Sequence, residues 1–197
     1  MKMKYTKLKK LKRKIYFTPK EVSDLLKIKI DSAKVLCYRY AKSGLFIRLK
    51  KDFYILEEKW WNLKIEEKFK IANILSVPSY ISLMTALSYY EVTTQIQRNF
   101  YESVTTNRKK IYIVNEDEFN FFKISSAFFF GFIKKDDFFI AEKEKAFIDC
   151  VYYHSLGKYK FDISSIDKSK LEKDKVERFL EIYPEKTKKI FLKIWKI

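Results

Sequence analysis

Only a few side chains in this 197-residue chain could act together in catalysis. A metal-dependent nuclease needs two or three carboxylates around one divalent ion, usually with a lysine beside them. The groups of this kind are Asp149, on a predicted helix, and the acidic run at 116–118 with Lys123, near a predicted hairpin turn. At the spacing from Asp117 or Glu118 to Lys123, the side chains fall on both faces of a strand. The spacing therefore does not bring them together around one metal ion. The pattern therefore favours a solvated turn.

Cysteine, histidine and glycine are too scarce for the other common sites. Cys37 and Cys150 lie far apart on apolar helical stripes, which predicts small buried side chains, and His154 has no nearby Ser or Cys to activate. Zinc-ligand spacings cannot be assembled from these three residues. The three glycines form neither a Walker loop nor a G-x-G-x-x-G turn, which excludes nucleotide-dependent enzymes of those two kinds. We expect no catalytic residue, no metal site and no cofactor, and a protein that is not an enzyme.

Basic charge is concentrated in the first third of the chain. The whole chain carries 42 Lys and Arg against 25 Asp and Glu, a net charge of +17. Residues 1–57 hold 17 of the basic and 5 of the acidic residues, a net of +12, whereas residues 58–197 have a net of only +5. An AT-rich genome inflates lysine evenly, so this distribution points to a polyanion, nucleic acid or an anionic membrane surface, that meets the first third.

Residues 1–57 are predicted to form a winged helix-turn-helix domain. A basic amphipathic helix comes first, and its charged face is either a phosphate-binding or a merely solvated surface. A second helix begins at a capping box, with Thr18 as N-cap, Pro19 at the first helical position and Glu21 reaching back, and it ends near Lys27. The apolar positions of the first helix are Met3, Leu8, Leu11 and Ile15.

A third helix and a β-hairpin complete this domain. The helix starts at Asp31 as N-cap, runs to about Lys42 and is stopped by Gly44, which suits the left-handed residue of a helix end. After Gly44 the apolar period changes from 3.6 to 2, which predicts two short strands joined at Lys50-Lys51-Asp52. The predicted buried stripe of the helix is Ala33, Leu36, Cys37 and Tyr40.

The other face of the third helix carries long donors and an aromatic ring, as a helix that reads the DNA major groove requires. The basic hairpin would lie on phosphate or in the minor groove. Winged helices also serve as protein-docking modules, but the charged face and basic tip favour DNA. The candidate DNA-binding residues are Ser32, Lys34, Tyr38, Arg39 and Lys42 on the helix and Arg48, Lys50 and Lys51 on the hairpin.

Residues 58–197 are predicted to form a second, α+β domain with an antiparallel sheet flanked by helices. Short aromatic or β-branched runs, separated by polar clusters, indicate an antiparallel meander in which residues 128–130 belong to the sheet core. The predicted strands are 101–106, 110–114, 119–124, 128–133 and 138–140. The predicted helices are 66–75, one capped by Ser82, 142–153, one capped by Asp167 and one that starts at Pro184.

Three stretches of this second domain resemble the AbiEi family of antitoxins and transcriptional regulators, which belong to abortive-infection (type IV) toxin–antitoxin systems. The stretches are residues 78–83 with 86–90, residues 103–108, and residues 128–132 followed by 140–141 and 144–149. The resemblance covers essentially the whole chain, because family members also place a winged helix first. The chain departs from the family pattern at two turns, where Asp52 and residues 115–117 stand in place of the expected glycines.

The resemblance implies an autorepressor that binds repeats upstream of its own operon in double-stranded DNA, and an antitoxin that counteracts a nucleotidyltransferase-like toxin encoded next to it. Thr105, Thr106 and Arg108, in the most distinctive segment, are candidate contacts to a partner or to DNA. A metal-dependent nuclease delivered by the winged helix is the alternative, and a membrane-surface protein a third one. The longest apolar run, 127–133, is too short to span a bilayer and no secretory signal is visible, so a reducing cytoplasm without a membrane partner is expected.

Overall fold

The computed structural model describes residues 7–196, so the predicted role of Met3 lies outside the described residues. Eight α-helices and two β-sheets make up this part of the chain, which confirms the α+β class. The chain divides into two compact units between Ile71 and Ala72. We refer to them as unit 1, which ends at Ile71, and unit 2, which starts at Ala72.

The first predicted helix of unit 1 is wound more tightly than expected. Residues 7–8 are α-helical, but Lys9–Arg13 forms a 3-10 helix, and the Lys14 amide closes it on the Leu11 carbonyl at 2.9 Å. Such a short segment gains little from α-helical cooperativity, and a 3-10 turn suffices to bury its apolar side chains. Leu8 and Leu11 are buried as predicted, whereas Ile15 is half-buried.

Helix α1 (Pro19–Leu26) starts at the predicted capping box. The Thr18 hydroxyl accepts a hydrogen bond from the Glu21 amide at 3.4 Å, and the Glu21 carboxylate accepts one from the Thr18 amide at 2.7 Å. The helix ends at Lys27, which adopts a left-handed conformation with φ of 53°. Helix α2 (Ile30–Lys42) follows after a tight turn.

The start of α2 differs from the prediction by two residues. Lys29 has the extended backbone of an N-cap, and Asp31 lies inside the first turn. A carboxylate there is still favourable, because the first turn is the positive end of the helix dipole. The predicted buried stripe is confirmed: Ala33, Cys37 and Tyr40 are buried, and Leu36 packs half-buried against the same core.

Strands β1 (Phe46–Lys50) and β2 (Phe53–Leu56) form the predicted antiparallel hairpin. Gly44 stands before it with a φ of +76°, as expected for a residue that ends a helix in the left-handed region. The Phe46 ring packs edge-on against Phe17 at 4.8 Å and against Tyr40 at 5.2 Å, which joins the hairpin to α2 and to the segment before α1.

Helix α3 (Glu57–Trp60) and the first part of helix α4 (Ile65–Leu75) extend unit 1 past residue 57. Helix α3 packs against the hairpin, and Trp60 is buried with the Lys68 ammonium 3.5 Å from the centre of its ring. Lys59 and Glu67 form an ion pair at 2.7 Å, which ties α3 to α4. The predicted stripe of α4 is confirmed, since Phe69, Ala72 and Leu75 are buried.

Unit 2 is built on a six-stranded sheet with the order β5-β6-β4-β3-β8-β7. The predicted antiparallel meander is wrong, because β6 pairs parallel with β4, and β3 pairs parallel with β8. Its strands are β3 (Ser79–Ile81), β4 (Phe100–Thr105), β5 (Lys110–Val114), β6 (Asp117–Lys123), β7 (Phe132–Lys135) and β8 (Phe138–Ala141).

The burial of the strands explains why β6 lies inside the sheet. Phe119, Asn120 and Phe121 of β6 are all buried, so both faces of this strand are covered, as in an interior strand, whereas Ile111 and Ile113 of β5 are exposed, as at an edge. The hairpin turn at Asn115, with φ of 53°, folds β6 back between β5 and β4.

The three phenylalanines at 128–130 do not lie in a strand, contrary to the prediction. Ser126–Phe128 is a 3-10 helix, and β7 starts only at Phe132. A strand would send neighbouring rings to opposite faces. Here Phe128 stacks on Tyr183 at 4.5 Å, Phe129 packs on Tyr80 at 5.1 Å and Phe130 on Phe179 at 5.3 Å.

Four helices pack in unit 2: α5 (Leu83–Tyr89), α6 (Lys143–Ser155), α7 (Lys173–Leu180) and α8 (Glu185–Lys196). The inward side of α6 is confirmed, with Ala146, Phe147, Cys150 and Val151 all fully buried. The last helix was predicted to start at Pro184, and α8 begins one residue later, at Glu185.

Two predicted caps of unit 2 have other partners. Ser82 occupies the N-cap position of α5, but its hydroxyl makes no cap hydrogen bond and donates to Asp149 instead. Asp167 caps a 3-10 helix at Lys168–Lys170 by accepting from the Ser169 amide at 3.1 Å, and α7 begins later. Leu171 separates the two segments because its backbone is extended.

Candidate functional site

The outer face of α2 presents the predicted polar and basic side chains to solvent. Ser32, Lys34, Arg39 and Lys42 are exposed, and 56% of Tyr38 is accessible. The Lys42 ammonium lies 5.8 Å from the centre of the Tyr38 ring, within the range of a cation–π contact. This face is exposed to solvent because the opposite stripe of α2 packs into the core of unit 1.

Val35, which the sequence analysis did not single out, lies at the centre of this face. It is 48% exposed, and the spacing i, i+4, i+7, i+11 aligns it with Asp31, Tyr38 and Lys42 along one ridge of the helix. A groove of about 520 Å³ runs beside this ridge, lined by Ile28, Asp31, Ser32, Val35, Leu36 and Arg39. The sequence does contain a signal for Val35. This residue lies opposite the predicted buried stripe of α2, at a position where the core needs no apolar side chain.

The hairpin tip holds its two lysines differently. Lys51 is exposed, whereas Lys50 is half-buried with its ammonium 4.7 Å from the centre of the Phe53 ring. Arg48 is exposed on β1. Asp52 takes the left-handed conformation at the tip, with φ of 62°, so the turn forms without a glycine.

Several cations of unit 1 are not neutralised. Lys34 forms an ion pair with Asp31 at 3.4 Å, and Lys20 forms one with Asp24 at 2.8 Å. In contrast, the side chains of Arg39, Lys42, Arg48 and Lys51 have no ion-pair partner within 4 Å among residues 7–196. Together with the net charge of +12 in residues 1–57, this leaves a positive potential around α2 and the hairpin.

The distinctive segment at the end of β4 is mostly turned inward. Thr105 is fully buried, and its hydroxyl donates to the Pro78 carbonyl at 2.6 Å and accepts from the Asn107 amide at 3.1 Å. Thr106 is half-buried, and Arg108 alone is exposed. Of these three predicted contact residues, Arg108 is therefore the one that a partner can reach without rearrangement.

A buried polar cluster in unit 2 was missed by sequence reasoning. Lys145 and Asp149 form an ion pair one helical turn apart on α6, and neither side chain is exposed. The Asp149 carboxylate also accepts from the Ser82 hydroxyl at 2.7 Å and from the Tyr80 hydroxyl at 3.1 Å. The Tyr80 hydroxyl in turn accepts from the Lys145 ammonium at 3.0 Å. The i, i+4 spacing on the apolar stripe of α6 was the available signal.

Burial governs the electrostatics of this cluster. Desolvation lowers the pKa of Lys145, and the charge of Asp149 opposes that shift. The same desolvation raises the pKa of Tyr80, which Asp149 reinforces. Because Tyr80, Ser82, Lys145 and Asp149 are all fully enclosed, the cluster has no open position for a substrate and acts as a link between α6 and the start of α5.

The other residues weighed for chemistry lie apart. Asp117 is buried on β6, and Lys123 is exposed at the end of the same strand. The Glu118 carboxylate accepts a hydrogen bond from the Asn120 side-chain Nδ2 at 2.6 Å. His154, in the last turn of α6, is 3.2 Å from the Tyr159 carbonyl through Nδ1. Within residues 7–196, no three His, Cys, Asp or Glu side chains are grouped so that they could hold a metal ion.

Both thiols are buried, as predicted. Desolvation raises the pKa of Cys37 to about 12, and it also raises the pKa of Cys150 well above its ordinary value. They are therefore protonated at neutral pH and poor nucleophiles. None of the helices in the described part of the chain combines the length and the apolar character needed to cross a bilayer.

The outer face of α2 and the β1–β2 hairpin thus form an exposed basic surface of unit 1. Comparisons of the chain with protein-family models, with curated proteins and with solved structures gave no match.

Proposed function

We propose that this chain is a DNA-binding transcriptional regulator, in which the first unit acts as a winged helix-turn-helix. In this proposal α2 is the recognition helix and the β1–β2 hairpin is the wing. The observation that carries it is the exposed face of α2, where Arg39 and Lys42 have no anionic partner among the described residues. A helix that follows a tight turn and presents such donors matches the requirements of the DNA major groove.

The side chains divide into two roles in this proposal. Lys34, Tyr38 and Arg39 face base edges, where a bidentate arginine is the commonest specific contact to guanine. Arg48 and Lys51 lie on phosphates, which fix the register but carry no sequence information. Lys50, whose ammonium lies 4.7 Å from the centre of the Phe53 ring, is a further phosphate contact at the same tip.

The regulatory role rests on the resemblance to the AbiEi family. On that basis the chain represses its own operon by binding upstream repeats, has no enzymatic activity, and counteracts a nucleotidyltransferase-like toxin through unit 2. The second role is testable by co-expression: the chain should relieve growth arrest caused by such a toxin encoded beside it, and continued arrest would remove the antitoxin part of the proposal.

The DNA-binding part is tested by fluorescence anisotropy with the full chain. One labelled duplex comes from the region upstream of its own gene, and the other has the same composition in shuffled order. We expect the upstream duplex to bind on the order of a thousandfold tighter. Equal binding to both duplexes would contradict a sequence-specific regulator. Cleavage of the DNA in Mg²⁺ that EDTA abolishes would instead favour the nuclease alternative.

A further inference from the structure

Among residues 30–42, which form α2, Asp31 is the one acidic residue, and the other charged side chains are basic. Its side chain is 87% accessible, and it pairs with Lys34 of the same helix at 3.4 Å. On a surface that meets a polyanion, the phosphates repel such a carboxylate. Asp31 therefore weakens DNA binding unless the DNA offers it a hydrogen-bond donor.

Asp31 lies at the end of α2 where a recognition helix meets the bases. It is in the first turn, and the N-terminal residues of such a helix contact base edges. Asp31 and Arg39 line the same groove of about 520 Å³. They are eight positions apart, which is a rise of about 12 Å along the helix. Base pairs are stacked about 3.4 Å apart, so these two side chains are placed to read different base pairs.

The chemistry of a carboxylate limits the bases that Asp31 can read. A carboxylate accepts hydrogen bonds and donates none. In the major groove, guanine and thymine present only acceptors, and adenine presents its amino donor beside the acceptor N7. Cytosine presents the N4 amino donor alone, and aspartate accepts from it. A carboxylate on this face therefore attracts cytosine and is repelled by acceptors of the other three bases.

We infer that Asp31 determines specificity by accepting a hydrogen bond from the N4 amino group of a cytosine in the major groove. This inference rests on the proposed function, since it requires α2 to lie in that groove. The ion pair with Lys34 does not oppose the contact, because an exposed pair at 3.4 Å contributes little to stability and is readily exchanged.

Asp31→Asn tests this role, because asparagine has nearly the same shape but reads adenine through N6 and N7. Each base pair of the upstream duplex is replaced in turn by the other three, and competition anisotropy gives the affinity of the full chain for each duplex. At one C·G pair in each binding site, we expect replacement by A·T to weaken binding of the natural chain about tenfold or more. At that same pair, Asp31→Asn should bind the A·T duplex at least as tightly as the C·G duplex.

Asp24→Asn is the matched control for the change in charge. Asp24 is exposed on α1 and pairs with Lys20 of its own helix at 2.8 Å, so its replacement removes the same charge from a different helix. It should tighten binding to all duplexes alike and keep the preference for cytosine. Circular dichroism can verify that both exposed substitutions leave the fold intact.

The outcomes separate this inference from the proposed function. Equal binding of the natural chain to the upstream and shuffled duplexes would overturn both. If binding is specific but the natural chain and Asp31→Asn rank the four bases alike at every position, the role of Asp31 is refuted and the regulator proposal stands. A change of preference from cytosine to adenine at one pair, in Asp31→Asn but not in Asp24→Asn, is the result that we expect.

Discussion

Lys145 and Asp149 form an ion pair on α6 in which both side chains are completely shielded from solvent. Ser82 and Tyr80 donate their hydroxyls to the same carboxylate from the segment that leads into α5. Two charges without water are tolerable only when each is neutralised and hydrogen-bonded by the other members of the cluster. The cluster therefore makes the packing of α6 against β3 depend on a small number of polar contacts.

Removing one charge of this pair should destabilise unit 2 strongly. Lys145→Met leaves the Asp149 carboxylate buried without its counter-charge, which typically reduces the free energy of unfolding by about 3–5 kcal/mol. Urea denaturation of the variant and of the natural chain measures this loss in the free energy of unfolding.

The matched control is Lys145→Met combined with Asp149→Asn, which removes both charges and keeps an acceptor oxygen for Ser82 and Tyr80. The double variant should be more stable than Lys145→Met alone. If adding Asp149→Asn brings no recovery, the loss comes from the shape of the lysine chain rather than from an isolated charge.

Gly131 should tolerate no side chain. A Cβ there would lie 3.0 Å from the Lys145 side chain and 3.1 Å from the Phe179 ring, and its φ of +67° is strained for other residues. Gly157 has a similar φ of +68° but open space around it. Gly131→Ala should therefore lower the melting temperature more than Gly157→Ala. Equal losses would show that the backbone conformation alone decides both.

Glu102 gives unit 2 a pH dependence of its own. Desolvation raises the pKa of this fully buried carboxyl from 4.5 to about 7, against the opposing hydrogen bonds donated by Tyr159 and the Met84 amide. Between these two values the folded state holds a proton that the unfolded state releases, so the free energy of unfolding falls as pH rises from about 4.5 to 7.

Glu102→Gln isolates this contribution. Relative to the natural chain, the variant should gain stability between pH 5 and pH 8, by up to about 3 kcal/mol, because it never loses a proton. Denaturant titrations of both proteins across this range measure the difference. A stability difference that does not change with pH would mean that Glu102 keeps an ordinary pKa.

Val35 and Tyr38 predict a chemical preference in the DNA, if the proposed function holds. They put apolar atoms at the centre of the outer face of α2, and the thymine methyl is the apolar group of the major groove. Replacing every thymine of the upstream duplex by deoxyuridine should weaken binding about fourfold per methyl contacted. Val35→Ala should reduce that difference. Identical affinity of the natural chain for both duplexes would exclude methyl contacts.

Local signals predicted unit 1 well. The capping box at Thr18 and the left-handed Gly44 depend on neighbouring residues only, and both are confirmed. Such local signals could not predict the order of the strands in the unit 2 sheet. Alternation along β6 indicates a strand but not that it lies between β5 and β4, because the pairing of distant strands depends on which faces become buried.

The buried cluster of unit 2 was hard to recognise in the sequence, although Asp149 was considered there as a possible catalytic carboxylate. Lys145 and Asp149 lie among apolar residues on α6, and a charged residue on a helix is usually solvated. Only their i, i+4 spacing indicated that each could neutralise the other inside the core. Val35 is the reverse case, an apolar residue on an exposed face. It was overlooked because such a residue does not belong to the apolar stripe from which a helix is predicted.

Two hairpin tips of this chain allow the most direct test of DNA binding through α2 and its hairpin. Lys50-Lys51-Asp52 and Lys134-Lys135-Asp136 have the same composition, and both aspartates have a positive φ. Lys50 lies over Phe53 and Lys135 over Tyr89, each with its ammonium 4.7 Å from the ring centre. Removing either lysine pair changes the net charge by the same amount.

The measurement is the salt dependence of binding to the upstream duplex for the two double-alanine variants. Each phosphate contact contributes about 0.9 to the slope of log affinity against log salt. We predict that Lys50→Ala with Lys51→Ala lowers this slope by about 1 to 2, whereas Lys134→Ala with Lys135→Ala leaves it unchanged. Equal changes in both variants would contradict binding through the first unit and leave only a diffuse attraction between a basic protein and a polyanion.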